Sequence, residues 1–225
     1  MTKDLRRRFF PDPLKAGDQD VIAAGPHISV ELLLEAYNSG IFPWPQEGLP
    51  VLWFSPVERG ILDFSDFKIA RSLQKILQKN PFEIRWNTAF RAVITACQTQ
   101  KRPGQSGTWI TDEMLEAYVE FHHLGYAHSV ECWREDQLVG GVYGVFVAGV
   151  FGGESMFHFE PNASKVALVA LIQSLIAQGF DWMDIQMVTP LLEAMGGKYI
   201  PRSEYIARLE LSKARKRVFK IDFRK

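Results

Sequence analysis

Apolar residues fall at helical or strand spacing along most of the chain, and turn-forming residues separate the two patterns. In "VELLLEAYNS" they repeat every three or four positions. Ser29 precedes the run as an N-cap and Gly40 closes it, which predicts a first helix. Around that helix, to about residue 64, the chain is rich in Pro, Gly and aromatics, centred on "FPWPQEGLPVLWFSP", and reads as loops and short strands. A small N-terminal domain over residues 1–64 is expected, followed by a main domain over 65–225 with a basic C-terminal tail. In that second part, residues 67–79 read as a helix stopped by "NP", and "FEIRW" (82–86) reads as a strand. Asn87 is placed to cap a helix running to about Thr99, and Thr111 to cap another ending at Gly125. Three strands follow, "AHSVECWR", "LVGGVYGVFV" and "VFGGESMF", with turns at "EDQ" and "AG". Residues 162–178 are apolar nearly all round, as suits a central helix. Next come a strand in "FDWMDIQM" (180–187), a short helix begun at Thr189-Pro190 and a last helix capped by Ser203. No internal repeat is present. The mixture predicts an α+β fold, an α/β sandwich with a mixed, largely antiparallel sheet and packed helices.

The strand in "FDWMDIQM" holds an anomaly. Asp184 and Gln186 stand two residues apart in an apolar run, so a regular strand points both to one face, about 6.5–7 Å apart. Buried polar groups of this kind need partners or they cost stability. Glu154, in "GGESMF", is a second acidic residue in apolar surroundings, where Gly152 and Gly153 permit a bulge or close backbone approach. It either caps a neighbouring loop or joins Asp184 and Gln186 in a polar cluster beside the central helix. Such a cluster can hold an amine, since carboxylates attract a cation and an amide carbonyl accepts its N–H. Val142, Phe151, Met156, Leu168, Leu171, Leu175 and Met183 surround it in the predicted elements; each alone reads first as plain core, and together they could form an apolar slot.

Of 225 residues, 47% are apolar, which suits a globular protein, and no apolar run reaches membrane-spanning length. The N-terminus has charge but no apolar segment behind it, so no secretory signal is read and a cytoplasmic location is expected. Cys97 and Cys132 have neither metal-ligand nor disulfide spacing, the five histidines show no metal spacing, and neither metal nor cofactor is expected. Net charge is zero but unevenly spread. Basic blocks occupy residues 1–8, 68–102 and 212–225; the middle one includes Arg71, Lys75, Lys79, Lys101 and Arg102. They are either solvated faces or a polyanion-binding surface. Trp44, Trp53, Phe54 and Trp109 read as exposed, and Trp109 follows the basic loop "KRPGQSG". Aromatic beside basic is a combination that stacks a base while holding phosphate. G-x-S-x-G, P-loop and dinucleotide-binding fingerprints are absent.

In order and spacing, "GIFPW", "LWFSP", "GTWIT", "AYVEFHHLGYAHSVE", "LVGGVYGV", "FGGESMF", "NASKVAL", "DIQ" and "IPR" resemble the leucyl/phenylalanyl-tRNA–protein transferases, from about residue 10 to about 206. The resemblance implies a fold similar to a GNAT acetyltransferase core behind a small N-terminal domain. It implies transfer of Leu, Phe or Met from aminoacyl-tRNA to the α-amine of proteins beginning with Arg or Lys, which marks them for degradation. Asp184 and Gln186 match the family's catalytic pair, and Glu154 matches the acidic member of its G-E-S-M-F motif. The seven apolar residues named above match its aminoacyl pocket. Trp109 matches the aromatic that stacks on the terminal adenine, with Tyr37, Trp44 and Tyr118 nearby. Arg71, Lys75, Lys79, Lys101 and Arg102 are expected to meet the tRNA body. The chain departs from the family's usual pattern at "GPHIS" (25–29), Pro45, Leu191 and Ala194. Two other functions compete: a GNAT-type N-acetyltransferase using acetyl-CoA, and a non-catalytic RNA-binding protein. The first lacks the Gly-rich loop that cradles a CoA pyrophosphate; the second leaves Asp184 and Gln186 without a purpose.

Overall fold

A computed structural model describes residues 9–45, 49–100 and 109–221. Near the N-terminus, β1 (Val21–Gly25), β2 (Phe42–Trp44) and β3 (Val51–Phe54) form a three-stranded antiparallel sheet in the order β1-β3-β2. The helix α1 (Val30–Asn38) crosses between β1 and β2. Its start is fixed by the Ser29 side chain, which accepts the Leu32 N–H at 3.3 Å, and Gly40 leaves it at φ +74°. Trp53 is 1% exposed and packs against Phe10, so it belongs to the core of this part and not to its surface, contrary to its apparent exposure in sequence.

The chain then enters a larger sheet through β4 (Glu58–Asp63), and α2 (Arg71–Lys79) follows. The helix starts at Arg71 rather than residue 67, because Phe67 and Ala70 are extended. Next come β5 (Glu83–Trp86), α3 (Phe90–Thr99), α4 (Asp112–His123), β6 (Ala127–Arg134), β7 (Gln137–Val147) and β8 (Val150–His158). Asn87 does not cap α3. It sits at φ +56° and accepts the Ser129 N–H, while the carboxylate of Glu131 on β6 accepts the N–H groups of Thr88 and Ala89 at 3.1 and 3.2 Å. A side chain more than forty residues away thus satisfies the helix start. Thr111 caps α4, accepting the Met114 N–H at 3.2 Å.

The chain ends with α5 (Ala163–Ala177), β9 (Trp182–Gln186), α6 (Pro190–Ala194), β10 (Lys198–Pro201) and α7 (Arg202–Ala214). Thr189 caps α6, but α7 begins at Arg202, one residue before Ser203, with Pro201 in the cap position. Strands β10-β4-β9-β8-β7-β6-β5 make a seven-stranded sheet, antiparallel except where β8 and β9 meet in parallel across α5. The result is the expected α+β class with a largely antiparallel sheet. One face is covered by α5 and α2 in an apolar layer; the other meets α1, α3 and α4. The central helix lies very close to β7: a Cβ added to Gly140 would stand 2.4 Å from that of Ala163. Among the described residues, no helix is long and apolar enough to cross a membrane.

Candidate active site

The site is set by the one parallel step of the sheet. Gly152 of β8 is in register with Asp184 of β9, so residues two further along each strand, Glu154 in the middle of β8 and Gln186 at the end of β9, arrive side by side. Gln186 Nε2 donates to Glu154 Oε1 at 3.2 Å. Two irregularities aim these groups. On β8 the pairing with β7 steps from Ser155–Tyr143 to Gly153–Gly144, which leaves Glu154 as the extra residue of a bulge. On β9 the pairing with β4 passes from Asp184–Ile61 to Gln186–Gly60, skipping Ile185, and Gln186 takes φ +53°. The strand is therefore not regular through the D-x-Q segment. The Gln186 N–H folds back to Asp184 Oδ1 at 3.0 Å.

Two tyrosines from helices complete the cluster. Tyr37 of α1 donates from its hydroxyl to Glu154 Oε1 at 2.9 Å, and the Tyr118 hydroxyl of α4 is hydrogen-bonded to that of Tyr37. Burial, reinforced by the Glu154 charge, pushes both phenols well above their ordinary range, so both remain neutral hydrogen-bond donors. Burial also dominates at Glu154. The Tyr37 hydrogen bond and the Arg59 charge only partly oppose it, the nearby Asp184 adds to it, and the carboxyl is pushed up to about 8.

Asp184 has a different environment, built by residues the sequence did not single out. Arg59, on β4, is 1% exposed and donates to both Asp184 oxygens, from Nε at 2.9 Å and Nη2 at 2.6 Å. The Tyr205 hydroxyl of α7 donates to Oδ2 at 2.9 Å. The signal for Arg59 was available: one cation inside the apolar strand "ERGILDF", matching one unpaired carboxylate elsewhere. Nothing local in the sequence connects them across 125 positions.

The remaining candidates divide between the two sides of the sheet. Val142, Phe151, Met156, Leu168, Leu171, Leu175 and Met183 belong to one apolar cluster beneath α5, all buried except the half-buried Met156. Phe219 of the C-terminal tail, also missed in the sequence, inserts into the same cluster. Its ring lies 5.6 Å from that of Phe151 and 5.4 to 6.4 Å from Trp86, His128, Phe146 and Phe180. Trp44 and Trp109 are half-buried and stacked on each other, 5.7 Å between centroids at 24°, against the cluster that contains Tyr37 and Tyr118. Arg71, Lys75 and Lys79 stand exposed along α2, about one turn apart. Lys101 and Arg102 lie outside the described residues. Within the same basic block, Arg85 is paired with Glu83 and Asp136, and Arg91 with Glu116, so these two cations are already matched by carboxylates. Among the described residues, no group of three His, Cys, Asp or Glu could hold a metal ion.

A half-buried carboxyl pushed up to about 8, beside hydroxyl and amide donors where two strands run parallel, describes an enzyme site more than a structural one. The chain's relatives agree on what kind. Residues 61–210 match the family model described as leucyl/phenylalanyl-tRNA protein transferase, and residues 27–57 match the model of that family's N-terminal domain. The leucyl/phenylalanyl-tRNA–protein transferase of Myxococcus xanthus is 45% identical over 93% of this chain and 89% of its own length. The protein of the same name from Flavobacterium johnsoniae is 45% identical over 92% of this chain and 97% of its own length. A GCN5-related N-acetyltransferase-like protein from Streptococcus suis overlaps 76% of this chain and 63% of its own at 15% identity, with a TM-score of 0.37. The chain belongs to the leucyl/phenylalanyl-tRNA–protein transferase family. It is an aminoacyltransferase, acting from aminoacyl-tRNA onto proteins.

Proposed function

We propose that this chain moves Leu, Phe or Met from its tRNA to the α-amine of cytoplasmic proteins that begin with Arg or Lys, marking them for degradation. The observation that carries the reading is the Glu154 carboxyl, held by Tyr37 and Gln186 and pushed up to about 8. A free α-amine has a pKa of roughly 7.7–8.0, and a proton acceptor works best when matched to its task and to the ambient pH. In the reaction the neutral amine attacks the ester carbonyl. The C–N bond forms, the bond to the ribose oxygen breaks, the nitrogen releases one proton and the ribose hydroxyl takes one up. Gln186 orients the amine through its amide, and the ionised fraction of Glu154 accepts the proton. The donor is already an activated ester, so orientation supplies most of the rate, roughly 7–11 kcal/mol.

The apolar cluster around Phe151, Leu171 and Met183 is the seat for the donor side chain. A pocket of this kind discriminates by only about 1–3 kcal/mol per methylene, which accommodates Leu, Met and Phe together. Trp109 and Trp44 stack on the 3′ nucleotide, and Arg71, Lys75 and Lys79, with Lys101 and Arg102, meet tRNA phosphates. The test supplies labelled Leu-tRNA with a peptide beginning with Arg, the same peptide N-acetylated, and, in a separate arm, labelled acetyl-CoA. Label is expected on the free-amine peptide from Leu-tRNA alone. Equal labelling of the blocked peptide, or labelling from acetyl-CoA, overturns the reading.

A further inference from the structure

The ion pair between β4 and β9 reaches beyond the sheet. While Nε and Nη2 of Arg59 hold Asp184, Nη1 donates to the Gly40 carbonyl at 3.1 Å. Gly40 ends α1, three residues after Tyr37. Asp184 in turn accepts the Gln186 N–H. One guanidinium therefore holds both supports of the Glu154 cluster: the helix end that carries Tyr37 and the strand end that carries Gln186.

Both supports are conformations that need holding. Gln186 is a non-glycine residue at φ +53°, a strained conformation that persists where its surroundings fix it. Gly40, at φ +74°, has no room for a side chain, since an added Cβ would stand 2.6 Å from Ile206 Cδ1 and 2.9 Å from Tyr205 Cε1. The guanidinium also lies over the rings of Phe42 and Tyr205, at 4.5 and 4.4 Å. Stability gives little reason for this arrangement, because an apolar pair of similar volume is often as stable as a buried ion pair. A planar fork that reaches three acceptors in fixed directions has a geometric use, which a lysine ammonium does not reproduce.

We propose that Arg59 is a positioning residue for aminoacyl transfer, acting through Asp184 on the Gln186 amide and through Gly40 on the Tyr37 hydroxyl, so that both meet Glu154 in one geometry. The inference rests on the roles given to Gln186 and Glu154 above. In it, Asp184 takes no proton from the substrate amine, because Arg59, Tyr205 and the Gln186 N–H occupy its oxygens.

The experiment measures steady-state transfer from Leu-tRNA to an Arg-initiated peptide with the full-length parent, R59K, Y205F and Q186A, alongside thermal unfolding of each. R59K is expected to lower kcat about 10- to 100-fold, as misplacement by about an ångström does, with KM for Leu-tRNA within about twofold. Y205F keeps the ring against the guanidinium and loses one hydrogen bond to Asp184, and kcat is expected to fall about three- to tenfold without a matching loss of folded protein. A folded R59K or Y205F with the parent's kcat, or a change in KM alone, overturns the inference. Should R59K fail to fold, Y205F decides. Parental activity in Q186A defeats the role of Gln186 itself; a slow Q186A beside parental R59K and Y205F defeats only the role of Arg59.

Discussion

Asp184 and Glu154 stand on adjacent parallel strands of one hydrogen-bonded site, yet they are held by opposite means. Asp184 faces a full cation and a phenol, and Arg59, Tyr205 and the Gln186 N–H hold its oxygens. Among the described residues Glu154 receives neutral donors, the hydroxyls of Tyr37 and Tyr118 and the Gln186 amide, so the cost of burying its charge prevails and its carboxyl rises to about 8. The character of a buried acidic residue is thus set by its partners. A carboxylate gripped through both oxygens by a guanidinium is scaffold; one bonded by hydroxyls and an amide is raised by its burial.

Removing the cation separates the two carboxylates most strongly. Arg59→Met leaves a carboxylate unpaired in the interior and is expected to cost about 3–5 kcal/mol of unfolding free energy in denaturant titration, most of it regained in R59M/D184L. A stable R59M would make the two carboxylates equivalent after all. A smaller effect comes from Glu154→Gln. The folded chain keeps the Glu154 proton up to about 8 while the unfolded chain releases it near 4.5, so the parent loses stability as pH rises through that window. The glutamine variant does not, and the gap is expected to reach about 1–2 kcal/mol by pH 8.5, modest because the side chain is partly open to water. Parallel pH profiles for parent and variant would show that Glu154 is not the raised group. Smallest of all, Arg91→Ala breaks a 2.6 Å pair with Glu116 whose side chains are 56% and 63% exposed, and no shift in the denaturation midpoint is expected. A clear shift there would mean that burial is not what separates the Asp184 pair from an ordinary surface pair.

Much of the scaffold was readable because its signals are local. Ser29, Thr111 and Thr189 bind amides three residues ahead, and the strands around "AHSVECWR" and "VFGGESMF" are bounded by turns of familiar composition. The misreadings share one cause, which is distance along the chain. Asn87 looked like a cap until Glu131 took that work from another strand, and Ser203 lost its place to Pro201 because β10 runs directly into α7. At the site, Asp184, Gln186 and Glu154 announced themselves as polar residues in apolar strands. The period-two expectation for the first two gave way to a skipped residue in the pairing with β4. Bulges depend on how neighbouring strands match in length, which no single segment encodes. Arg59 and Phe219 stayed hidden for the same reason, since a cation in a short strand and a phenylalanine in a basic tail have meaning only beside the residues they meet.

The stacked Trp44 and Trp109 carry a consequence for observing the molecule at work. Two indoles lying face to face share their electronic transitions and form a coupled chromophore whose circular dichroism and emission depend on spacing and tilt. If a nucleobase settles against that pair, the chain reports the event optically, from a reporter already encoded in its own residues.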